Sequence, residues 1–114
     1  MTKKHVEQLN SLITPATSGR FANAELICKH FFSGAAFYAN GRICITFSPA
    51  GLALKLPEDS RNKLIKQNGA KHLQYFPKAP IKKEYVVLPK SMLKDTRTIW
   101  RWIRASINYA LEDQ

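Results

Sequence analysis

Asn40-Gly41 is the feature that most constrains what this chain can fold into. The dipeptide lies between two runs rich in aromatic and branched apolar residues, 35–39 and 42–47. A two-residue Asn-Gly connection tolerates positive φ at both central positions, so it closes a right-twisted antiparallel hairpin. A second turn signal, Ser48-Pro49-Ala50-Gly51, precedes Leu52-Ala53-Leu54-Lys55-Leu56, where apolar residues alternate with smaller or charged ones. Residues 31–56 therefore read as a three-stranded meander with one face to bury. That stretch is a scaffold and holds no reactive constellation.

The flanking segments supply helices and further strands. Residues 3–13 carry Val6, Leu9 and Ile13 at helical spacing, and Thr14-Pro15 is expected to stop that helix because the residue before proline avoids helical geometry. Residues 25–32 are expected as a strand leading into the meander. Pro57-Glu58-Asp59-Ser60 reads as a helix start, with acids where the dipole favours them, and Gly69 as its left-handed end near Asn68. Residues 73–76 and 84–88 read as two more strands around a connection, residues 77–83, rich in proline and lysine. Pro89 opens a helical turn through Leu93. Asp95 then caps a last helix, residues 96–111, on which Ile99, Trp100, Ile103, Ile107, Ala110 and Leu111 share one broad apolar face. The expected architecture is α+β: a twisted antiparallel β-sheet of about five strands, a β-meander, flanked by an N-terminal, a middle and a long C-terminal helix.

With 114 residues the chain is expected to form one domain, residues 1–114. An apolar fraction of 45% is ample for a packed core. No apolar run approaches the ~20 residues that span a bilayer, and no apolar core follows the positive N-terminus. Cys28 and Cys44 both sit among strand-like apolar neighbours and read as small buried hydrophobes in a reducing cytoplasm. The charge is lopsided, +10 from 18 Lys+Arg against 8 Asp+Glu, which favours an acidic partner such as nucleic acid or an acidic protein face.

The candidate chemistry is sparse. His5, His30 and His72 lack partners at metal-ligand spacing. Neither cysteine has an evident acidic orienter, and Glu58 and Asp59 serve better as helix-start residues than as an acid–base pair. The glycines occupy turns and form no phosphate loop. No catalytic residue, metal or cofactor is expected, and the chain reads as non-enzymatic. The basic residues are the candidates that remain. Arg97, Arg101 and Arg104 form one stripe on the last helix, and Lys78, Lys82, Lys83, Lys90 and Lys94 cluster in and after the proline-rich connection. If that connection packs beside the last helix, these charges form one patch for phosphates or an acidic protein surface; the plainer alternative is a solvated face that keeps the domain soluble. Trp102 and Tyr109 lie on the opposite flank of the helix, suited to stacking or to packing on the sheet or a second subunit.

The order of these signals resembles the N-terminal domain of the TfoX (Sxy) family of competence regulators. That family carries a phenylalanine- and glycine-rich hairpin, a strand of the Gly-Leu-Tyr-Leu-Lys type, an acidic helix start and a Gly-Ala. The corresponding pieces are Phe32-Ser33-Gly34, Asn40-Gly41, Leu52-Ala53-Leu54-Lys55, Glu58-Asp59-Ser60-Arg61 and Gly69-Ala70, followed by Leu88-Pro89, Leu93-Lys94-Asp95 and Trp102. The resemblance covers about residues 20–112. It departs from the pattern at Ser33-Gly34, where the family has a glycine pair, and in its basic charge. It implies a stand-alone domain without the family's second, helical domain, and a role in transcriptional regulation of competence through a protein partner, the cyclic-AMP receptor protein. A homodimer is compatible with it.

Overall fold

A computed structural model describes residues 3–31, 34–74 and 77–112. The Asn40-Gly41 hairpin forms as its chemistry requires: Asn40 and Gly41 take φ of 50° and 80°, joining β2 (Gly34–Ala39) to β3 (Arg42–Ser48). Asn40 also ties the turn to the preceding segment. Its side-chain oxygen accepts from the Glu25 N–H at 2.7 Å, and its own N–H donates to the Glu25 carbonyl at 2.8 Å. This aligns β1 (Leu26–Phe31) antiparallel to β2 from its first residue. The Ser48 hydroxyl accepts from the Ala50 N–H at 3.1 Å and rounds the turn into β4 (Gly51–Lys55).

The sheet has six strands in the order β1-β2-β3-β4-β6-β5, one more than expected. After β4 the chain forms α2 (Glu58–Asn68), adds the three-residue β5 (Lys71–Leu73) at the edge and returns through β6 (Lys82–Val87) between β4 and β5. The strand expected over residues 73–76 thus lies earlier and is shorter; Tyr75 and Phe76 fall outside the described residues, as do Phe32 and Ser33. Lys82 and Lys83, expected in the connection, open β6 instead. Their exposed side chains tolerate a strand end, and Lys82 lies opposite Leu73 of β5, a pairing that the local sequence did not advertise.

Three helices complete the fold. α1 (Lys3–Thr17) does not stop at Pro15 but carries it inside its last turn. The missing proline N–H forfeits one helical bond near the end, where the ladder is already incomplete. In return Ile13 and Ala16 are buried, and the Thr17 hydroxyl donates back to the Ile13 carbonyl at 3.1 Å. Tertiary packing overrides the local preference. α2 ends at Gly69, φ 76°, whose N–H and that of Ala70 both bond the Leu64 carbonyl. Pro89 leads into a short 3-10 turn, η1 (Lys90–Lys94), and Asp95 into α3 (Thr96–Glu112). The Asp95 carboxylate accepts from the Thr98 N–H and hydroxyl at 3.3 and 2.8 Å, which holds its carboxyl below the usual range.

The core lies between the sheet and α1 and α3. One row of residues across the strands (Cys28, Phe37, Ile45, Leu54 and Val86) faces it, met by Leu9 and Ile13 from α1 and by Ile99, Ile103 and Ile107 from α3. Register slips between Phe37 and Tyr38: Phe37 pairs with Ile45 but Tyr38 with Ile43, leaving Cys44 as the extra residue of a bulge. The bulge lets the adjacent Cys44 and Ile45 both enter the core. It also brings the Cys44 and Lys55 carbonyls within 3.0 and 2.8 Å of the buried Ser106 hydroxyl, which fastens α3 to β3 and β4.

Candidate functional site

The arginine stripe is built by α3. Asp95 sets the start of the helix, the isoleucines fix its rotation on the sheet, and positions 97, 101 and 104 consequently project along one outer flank. Arg97, Arg101 and Arg104 line a single open depression of about 430 Å³ together with Thr98 and Trp100. Trp100, expected on the apolar core face, is half-buried and packs against the core, and it also lines this depression. The signal is in the sequence, since position 100 falls three residues after Arg97 and four before Arg104 and so shares their flank.

The three guanidiniums differ in their freedom. Arg97 and Arg101 are exposed, whereas Arg104 is half-buried and its Nε donates to the Ala16 carbonyl at 2.8 Å, near the end of α1. Arg104 therefore serves as a clasp between α1 and α3 as well as a wall of the depression. Arg101 stands 5.9 Å from the Trp102 ring centroid, a cation–π distance. Among the described residues the one ion pair lies elsewhere, Lys55 with Glu84 at 4.0 Å. The arginines thus present positive charge that no carboxylate in that set neutralises by contact.

The lysines do not form one surface with this stripe. Lys90 and Lys94 lie exposed on η1, which packs on α3, and neither lines the arginine depression. Lys82 and Lys83 stand at the opposite end of β6, where Arg61 of α2 donates to the Lys83 carbonyl. Lys78 is exposed in the turn before β6, a segment in which the Gln74 amide donates to the Pro77 and Ala79 carbonyls. The charges divide between two ends of a strand rising about 3.3 Å per residue.

The two candidate aromatics are half-buried. Trp102 packs against the core. Tyr109 lines a small crevice with Arg42, Ile43 and Lys55. Among the described residues, no group of three or more His, Cys, Asp or Glu is placed to hold a metal ion, and no helix is long and apolar enough to cross a membrane. His30 is exposed on β1, and the His5 ring meets Phe47 edge-on at 5.6 Å. Both cysteines are free thiols. Burial pushes the Cys44 thiol up to about 12, against the opposing effects of Ser106 and Lys55, and burial also raises Cys28.

Fold and surface together define a small basic α+β domain, an antiparallel sheet backed by helices that carry a cationic flank. The sequence matches the TfoX N-terminal domain over residues 22–110, and the chain belongs to that family. Comparison with curated proteins and with solved structures gave no match.

Proposed function

We propose that this domain is a non-enzymatic regulatory module that docks an acidic protein surface on the first half of α3. The observation that carries the reading is the depression in which Arg97, Arg101 and Arg104 surround Trp100. Planar guanidiniums recognise carboxylates with two parallel hydrogen bonds, and an indole beside them adds apolar area. Arginine and tryptophan are the residue types that dominate protein interfaces energetically. Family membership supports a regulatory or interaction role. The transcription machinery, and the cyclic-AMP receptor protein within it, are the partners to try first, because the resemblance to competence regulators points there.

The test is capture from the native cell extract by the full chain and by an Arg97→Glu/Arg101→Glu variant, with and without nuclease, at two salt concentrations. A protein retained by the parent after nuclease and lost by the variant is the expected result. Equal capture by both chains would overturn the docking site. Capture that disappears with nuclease would make the patch a nucleic-acid contact instead, with the strong salt dependence that counterion release imposes.

A further inference from the structure

The face of the sheet turned away from α1 and α3 carries a second cationic surface of different chemistry. One cross-strand row on it runs Lys29, Ala36, Thr46, Ala53, Val87 and Lys71 from edge to edge. Its small central residues Ala36, Thr46 and Ala53 are buried, and its two ends are exposed lysines. Beside this row lies a groove of about 480 Å³ walled by Phe31, Tyr38, Ile43 and Tyr85. Lys55, Lys82 and Glu84 supply its polar rim. The Lys29 ammonium stands 5.3 Å from the Tyr38 ring centroid.

We propose that this groove binds single-stranded nucleic acid, with an unstacked base on the Tyr38 ring and the flanking phosphates on Lys29 and Lys82. Three features favour that occupant. The groove presents the Tyr38 ring, whose face can stack on any base, and cations at its margin, which track a phosphate backbone. The rim is unequal in charge: Lys55 pairs with Glu84 at 4.0 Å, which leaves Lys82, and Lys29 beside Tyr38, as the cations without a carboxylate contact among the described residues, on a chain of net charge +10. A duplex keeps its bases stacked inside and offers the rings nothing, so the single strand is selected by shape. An entering base replaces the Lys29 ammonium over the ring and leaves that charge free for a phosphate.

The test is fluorescence polarisation of a labelled oligothymidylate at several salt concentrations, with a duplex and poly-glutamate as competitors. The parent is expected to bind the single strand and to prefer it over the duplex. Tyr38→Leu should weaken binding by about fivefold or more, while Tyr38→Phe, which keeps the ring, should bind as the parent does. Lys29→Ala/Lys82→Ala should flatten the salt dependence by about 1.4 in the log–log slope, the change expected when two phosphates keep their counterions. Arg97→Ala/Arg101→Ala should leave binding within about twofold, which separates this site from the acidic-partner site on α3. Absence of binding at low salt, indifference to Tyr38→Leu, or poly-glutamate competing as well as the oligonucleotide would each overturn the proposal.

Discussion

Burial raises the Cys44 thiol to about 12 from an ordinary value near 9, because a thiolate among Ile45, Phe37 and the α3 isoleucines would lose its hydration. The native state therefore holds the proton more tightly than the unfolded chain does. Stability contributed by this thiol is complete below about pH 9 and is lost progressively as the pH rises from there toward 12, the unfolded chain ionising first. A Cys44→Ala variant should accordingly lose less of its unfolding free energy between pH 9 and 11 than the parent, as followed by urea titration. An equal loss in both would show that the thiol does not ionise on unfolding in that window. The residue type was readable in the sequence as a buried hydrophobe. Its company was not, because a bulge that sets both Cys44 and Ile45 against Phe37 leaves no mark in the hydrophobic alternation.

At the scale of elements, β2 begins at a glycine for a steric reason. A Cβ built on Gly34 would stand 2.1 Å from the Phe47 carbonyl oxygen and 2.8 Å from the Ser48 Cα, both on the neighbouring strand. Backbone cannot yield as a side-chain end does, so Gly34→Ala must push β2 and β3 apart. We expect it to cost about 1–3 kcal/mol, the range for forced overpacking, and denaturant unfolding would measure it. A cost near zero would mean that the strands separate freely there. The elements best foreseen from sequence are those whose signals are chemical and local: the Asn40-Gly41 turn, the Gly69 helix end and the Asp95 cap. Those misjudged depend on distant partners. Pro15 stays helical because Ala16 is buried and its carbonyl meets Arg104, and Lys82 and Lys83 become strand because β6 continues past β4 alongside β5, with Lys82 opposite Leu73. The Arg97/Arg101/Arg104 stripe was legible from helical spacing. Its separation from the loop lysines required the sheet order, in which β6 inserts between β4 and β5.

For the whole molecule, two cationic surfaces of different chemistry stand on opposite sides of one sheet. On the helical side are guanidiniums around Trp100; on the other are ammoniums around Tyr38. The helices between them bury the core that keeps the two apart, so a ligand on one surface need not touch the other. Guanidiniums favour bidentate carboxylate contacts, and ammoniums with aromatic faces favour bases and phosphates. The measurement that tests this partition most directly is amide chemical-shift mapping of the isotopically labelled chain at physiological salt, titrated separately with poly-glutamate and with an oligothymidylate. The account predicts two separate footprints, poly-glutamate perturbing the segment 97–104 and the oligonucleotide perturbing Lys29, Tyr38 and Lys82. One shared footprint for both polyanions, or diffuse shifts that follow total charge alone, would contradict it.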